Sequence, residues 1–133
     1  MNMTIEQIGA DIGVKRLLSL YATYVDSRQL DKALALFAPD ALLVLNGEEK
    51  QGSSAIKAWI DTLANSPAGI HMTTNTVVTV DSARPDHAQA RSDVGYIRKL
   101  ADGWKVLAAG RYIDTCEFKN GSWIFVARTI DVN

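Results

Sequence analysis

Apolar positions recur at helical spacing near the start of the chain: Ile5, Ile8, Ile12 and Leu17, then Leu20, Tyr21, Tyr24 and Val25. That period predicts a first helix over about residues 5–26. Thr4-Ile5-Glu6-Gln7 reads as a capping box at its start, and Gly9 and Gly13 weaken its first half. Leu30, Ala33, Leu34 and Phe37 predict a short second helix stopped by Ala38-Pro39. Ala41 to Leu45 is an apolar run of strand length, closed by the turn pair Asn46-Gly47. Ser53-Ser54 then cap a third helix carrying Ile56, Trp59, Ile60 and Leu63, which ends near Asn65-Ser66-Pro67.

Beyond Pro67 the period changes. Residues 70–80, 87–100, 104–118 and 122–132 predict four strands, separated by Arg84-Pro85-Asp86, Asp102-Gly103 and Asn120-Gly121. Such short connections imply an antiparallel meander. Three helices with one strand among them, followed by long strands, give an α+β order. The expected architecture is a cone: a curved antiparallel (mixed) sheet wraps around the three N-terminal helices, and its concave side forms a pocket.

Composition narrows this further. The 133 residues suit one domain, 1–133, with 47% hydrophobic and 22% charged side chains. The net charge of −1, from 14 basic and 15 acidic residues, lacks the electrostatic footprint of a nucleic-acid or anionic-membrane binder. The single cysteine, Cys116, allows neither an intramolecular disulfide nor a cysteine zinc cluster. No stretch approaches the ~18 apolar residues of a membrane span, and Met1-Asn2-Met3-Thr4 is unlike a secretory leader, so a cytoplasmic protein is expected. With no Gly-rich phosphate loop, metal-ligand spacing or nucleophile elbow, the expected chemistry is cofactor-free proton transfer on a small hydrophobic molecule.

Particular residues accompany this order of elements: Tyr21-Ala-Thr-Tyr24-Val-Asp26, Leu36-Phe37-Ala-Pro-Asp40-Ala41, and Gly47 and Gly52 around a polar turn. His71-x-x-x-Asn75, Gly110-Arg111-Tyr112-x-Asp114 and Asn120-Gly121-x-Trp123-x-Phe125-x-x-Arg128 follow. On these stretches the chain resembles the SnoaL-like branch of the nuclear-transport-factor-2-like superfamily over nearly its whole length. The resemblance implies the cone fold. It does not imply one reaction, because the superfamily holds dehydratases, isomerases, cyclases, epoxide hydrolases and non-catalytic subunits.

Asp26 is predicted at the C-terminal end of helix 1, where carbonyl dipoles and a pocket wall both disfavour a carboxylate; otherwise it simply turns the chain with Ser27. His71 lies on an extended segment whose alternation groups it with Thr73, Asn75 and Val77. The other histidine, His87, falls in an exposed turn. In several SnoaL-like lyases the matching carboxylate and histidine pair, which implies His71 as general base and Asp26 as the group fixing its tautomer. Tyr21 or Tyr24 would then stabilise a developing oxyanion, the alternative being core packing. Asn75 and Tyr112 would position the substrate, and Trp59 would line the pocket. Arg128, expected on the face opposite Trp123 and Phe125, would bind a substrate oxygen or be solvated.

In steroid isomerases of this superfamily the catalytic aspartate aligns with Leu45, which argues against that chemistry. Arg91 and Asp93 share a strand face and, with Asp114, offer fragments of an epoxide-hydrolase Asp–Arg–Asp set. The leading expectation is a dehydratase, isomerase, cyclase or other lyase. The rival is a non-catalytic ligand-binding or subunit-interaction module. Finally, Trp104, Val106 and Ala108 are expected on one face of their strand and Leu107, Ala109 and Ile113 on the other. A sheet apolar on both faces predicts a homo-oligomer, most simply a two-fold dimer packed sheet to sheet.

Overall fold

The computed structural model describes residues 3–133; Met1 and Asn2, the first residues of the N-terminal segment considered above, lie outside the described residues. Helix α1 spans Ile5–Asp26. Thr4 Oγ1 accepts from the Gln7 amide at 3.1 Å, which satisfies one of the free N–H groups of the first turn. Gln7 does not return the bond. Its side chain instead reaches strand β3 (Ile70–Asp81), donating to Val78 O at 2.8 Å and accepting from Val80 N at 2.9 Å. The capping residues therefore also dock the helix onto the sheet.

The buried stripe of α1 is Ala10, Val14, Leu17, Leu18, Tyr21 and Val25. Ile5, Ile8 and Ile12 form a second, exposed stripe, with Ile5 85% accessible. Gly13 belongs to the packing rather than weakening it. A Cβ there would lie 2.3 Å from the Trp123 indole, so the absent side chain admits that ring against the helix.

Helix α2 (Leu30–Leu34) is shorter than its pattern suggests, because Phe37 already opens strand β1 (Phe37–Leu45). Leu36 O accepts from Phe125 N at 2.9 Å, drawing the chain into the sheet before Pro39. Pro39 falls where the β1 register is irregular, so its missing N–H breaks no regular ladder. Asn46 and Gly47 both have positive φ (48° and 86°), as a tight hairpin turn demands. The turn leads into strand β2 (Glu48–Gln51), which the polar sequence conceals. Helix α3 (Gly52–Thr62) follows Gln51 at its N-cap rather than the serines, and Ser53 Oγ donates to Pro39 O at 3.2 Å. A 3-10 turn, Leu63–Asn65, ends it.

Strands β4 (Arg84–Leu100), β5 (Gly103–Lys119) and β6 (Ser122–Val132) complete an open sheet in the order β2-β1-β6-β5-β4-β3. Only the β1–β6 pairing is parallel, so the sheet is mixed. The three helices cover its concave face, the α+β cone expected. Among the described residues no helix is long and apolar enough to cross a membrane.

Three single-residue register shifts bear on which side chains face the cone, between Thr74 and Val77, between Tyr96 and Ile97, and between Thr115 and Cys116. Each inserts a residue on one strand and exchanges inner for outer positions beyond it. Val106 consequently sits on the outer face, 67% exposed, whereas Ala108 pairs with Tyr96 on the inner one. They were expected on one face; the extra residue, Leu107, separates them. The outer face thus presents Met72, Trp104, Val106 and Ile113.

Candidate functional site

A cavity of about 200 Å³ opens where the C-terminal end of α1 faces the inner sheet. Its walls are largely aliphatic: Val25, Leu45, Leu63, Val94, Ile130 and Val132, with Trp59 from α3. Polar groups reach it at few points, through Tyr21, Tyr112, Tyr96, His71, Ser66 and Arg28. Such a cavity suits a small apolar ligand oriented by a handful of hydrogen bonds.

Asp26 ends α1 and faces the start of β3, where it makes two contacts with one residue. His71 N donates to Asp26 Oδ2 at 2.8 Å, and His71 Nδ1 lies 2.5 Å from Asp26 Oδ1. The backbone bond fixes the carboxylate, and the carboxylate fixes the ring. With Nδ1 engaged, Nε2 is the imidazole nitrogen left for a ligand. Both side chains are about four-fifths shielded, each 19% accessible. The Tyr96 ring packs against the imidazole with centroids 4.6 Å apart and limits its rotation.

Tyr21 and Tyr112 are buried on neighbouring elements, edge to face with centroids 6.4 Å apart. Burial is the main force raising both phenol pKa values, and the nearby Arg128 cation opposes it. Both hydroxyls are therefore held protonated, as hydrogen-bond donors.

Arg128 lies elsewhere than expected. It shares the inner face with Phe125, because the shift at Val126 reverses the alternation of β6. It is buried, with its guanidinium carbon 3.8 Å from the Tyr112 ring centroid, 4.3 Å from Tyr21 and 4.5 Å from Phe125. Its Nε is 3.4 Å from Oδ1 of Asp114, its cross-strand partner on β5. Burial pushes the Asp114 carboxyl up to about 6, with the Arg128 cation opposing. Arg128 does not line the cavity; it supports from behind the two tyrosines that do.

Two further expectations are corrected by position. Asn75 adopts φ 52° at the first register shift, which turns its side chain outward. Its amide donates to Asp93 Oδ2 at 3.0 Å on the outer face. Tyr24 lies half-buried beside Lys32, whose ammonium is 5.8 Å from its ring, and does not line the cavity. The epoxide-hydrolase fragment separates likewise. Asp93 faces Arg111 outside the cone at 3.6 Å, Arg91 is exposed, and Asp114 is taken up by Arg128. Gly110 holds a backbone contact, since a Cβ there would lie 1.8 Å from Asp131 O.

Sequence reasoning missed Arg28, Ser66 and Tyr96. Tyr96 was accessible to it, lying in phase with the inward Ser92 and Val94. Arg28 and Ser66 sit in connections, where no period applies.

An open, curved mixed sheet around three helices, with an acid–imidazole pair at the cavity, defines a cone fold of the α+β class. Residues 8–129 match the model of the SnoaL-like domain family, and the chain belongs to that family. Among solved structures it is similar to an aspartate-to-asparagine variant of Rv3472, a function unknown protein from Mycobacterium tuberculosis. The TM-score is 0.86 at 24% identity, covering 96% of this chain and 74% of that one. A proposed scytalone dehydratase of Novosphingobium aromaticivorans superposes with TM-score 0.82 at 20% identity, covering 98% and 91%. The beta subunit of a proposed aromatic-ring-hydroxylating dioxygenase from the same organism gives 0.78 at 16%, covering 98% and 92%. A comparison with curated proteins finds no match. At these identities the structural likeness speaks for the fold alone.

Proposed function

We propose that this protein is an acid/base enzyme, a dehydratase, isomerase, cyclase or related lyase, acting on a small hydrophobic substrate in the cone cavity without a cofactor. The observation that carries the reading is the two-point contact between Asp26 and His71 at the cavity wall. A residue that merely turned the chain would have no need to engage both the backbone and the ring of His71. An imidazole with Nδ1 held by a carboxylate is a base at Nε2.

In a dehydration, His71 Nε2 takes the proton from the carbon next to a carbonyl, and the electron pair passes to the carbonyl oxygen. Tyr21 or Tyr112, a protonated donor, stabilises the enolate. Collapse of the enolate expels a β-hydroxyl, which recovers the proton from His71 and leaves as water. Trp59 and the aliphatic walls hold the substrate body. Arg128 acts through the tyrosines, and Asn75 and Tyr24 take no part. The non-catalytic alternative draws support from the similar dioxygenase subunit, but gives no reason for the imidazole to be held at a cavity wall.

The experiment incubates the protein in deuterated water with a panel of cyclic ketones and β-hydroxyketones, read by mass spectrometry. Deuterium incorporation or water loss is expected with the wild type. Asp26→Asn and His71→Ala should each abolish it, and the double variant should be scarcely worse, because residues acting as a unit are non-additive. Undiminished exchange in His71→Ala sinks the assignment.

A further inference from the structure

Arg28 is the one permanently charged side chain among the described residues lining the cavity, and the proposed chemistry leaves it without a task. Its backbone is unusual. Ser27 caps α1, Gln29 N donates to Tyr24 O at 2.8 Å and Arg28 N to Val25 O at 3.1 Å, which together form a Schellman ending. Arg28 occupies the left-handed position of that motif, with φ 60°. Glycine is the ordinary residue there, and a side chain at that position works against the backbone by about 1 kcal/mol.

The side chain compensates in part. Nη1 donates to Val25 O at 2.9 Å, and Nη2 donates to Ser66 O at 3.0 Å and to Pro67 O at 3.4 Å. These bonds brace the guanidinium between the end of α1 and the connection after α3, at the cavity wall. They leave the Nε–H and one Nη1–H without a partner among the described residues. The hydroxyl of Ser66, a second polar lining group, belongs to the same connection. A braced cation with free donors, in a cavity otherwise bounded largely by aliphatic and aromatic groups, complements an anion on an apolar body.

We infer that Arg28 is a specificity-determining residue that selects substrates carrying a carboxylate on an aromatic or alicyclic framework. The inference rests on the proposed function only in taking this cavity as the substrate site. In a partly buried setting a charge-assisted hydrogen bond separates an acid from its neutral isostere by about tenfold in affinity.

The test uses 2-naphthoate and 2-naphthamide as probes of one shape and different charge, with binding followed by tryptophan fluorescence and calorimetry. The wild type should prefer the naphthoate by about tenfold. Arg28→Lys should keep most of that preference. Arg28→Gly, whose backbone suits the position, should lose it while remaining folded. Arg28→Asn, which also tolerates left-handed backbone, should lose it too and guards against an effect of glycine flexibility. Equal binding of the two probes by the wild type, or an undiminished preference in Arg28→Gly, overturns the inference. Because the readout is binding without turnover, failure of the Asp26–His71 chemistry would leave it standing, and its own failure would leave that chemistry untouched.

Discussion

Removing one member of the Arg128–Asp114 pair is expected to be far more damaging than removing both. Both side chains are wholly inaccessible, so neither charge can fall back on water if its partner is lost. Asp114 sets the scale. Burial raises its carboxyl from 3.8 to about 6 even with the cation beside it, which corresponds to about 3 kcal/mol against the ionised form at neutral pH. Arg128→Met withdraws the cation that favours ionisation of Asp114, and such a break costs about 3–5 kcal/mol. Asp114→Leu should cost as much by stranding the guanidinium among three aromatic rings. The double variant Arg128→Met/Asp114→Leu restores a neutral interior and should lie close to the wild type, giving a coupling of about 6 kcal/mol or more. The pH dependence has a definite sign. Between about pH 4 and 6 the folded protein keeps a proton that the unfolded chain has released, so the contribution of Asp114 is whole below 3.8 and is lost as pH rises through about 6. Urea unfolding at pH 4 and pH 7 measures both effects. The stability of the wild type relative to the double variant should fall by about 2 kcal/mol between those values. Additive single substitutions, or a difference that does not change with pH, would refute the reasoning.

Two glycines on one helix should respond in opposite ways. Gly9→Ala meets nothing within 4 Å and should stabilise by about 0.5–1 kcal/mol, whereas Gly13→Ala must displace the Trp123 indole and should gain nothing or lose stability, as paired thermal melts would show. The outer sheet face, with Met72 50% and Val106 67% exposed, is proposed to bury itself in a two-fold dimer. Sedimentation at micromolar concentration should find a dimer that Met72→Glu/Val106→Glu dissociates, and a monomeric wild type would end that proposal.

Much of the cone was legible from periodicity. The four long strands appear where alternation predicts them, because each is bounded by a polar or glycine turn. The helices were legible in place, though α2 proved shorter than its pattern, and less so in orientation. In α1 the stripe of isoleucines is as regular as the stripe that is buried, and nothing in the first half of the helix tells them apart. Only the partner decides: the sheet takes the Ala10–Val14–Leu17–Tyr21 stripe, Trp123 arrives at Gly13, and the isoleucines stay exposed. Strand β2 was hidden because Glu48-Glu49-Lys50 forms an edge, where polar residues and backbone pairing coexist.

The errors of facing share one cause. Alternation assigns residues correctly only until a bulge, and beyond it every assignment is inverted. His71 precedes the shift at Asn75, so its inward position could be read from the pattern; Asn75 lies on the shift and turns out. Gly110, Tyr112 and Asp114 occupy an uninterrupted stretch of β5, where simple alternation holds. Arg128 and Phe125 lie on either side of Val126 and were set on opposite faces, although in the fold they stack. That inversion brings a cation under the cavity's two tyrosines, and without it Arg128 would stand on the outer face with Arg111. The bulge is thus part of the site. It exchanges a solvated arginine for a buried one, and it leaves the cavity itself to the tyrosines, His71 and Arg28.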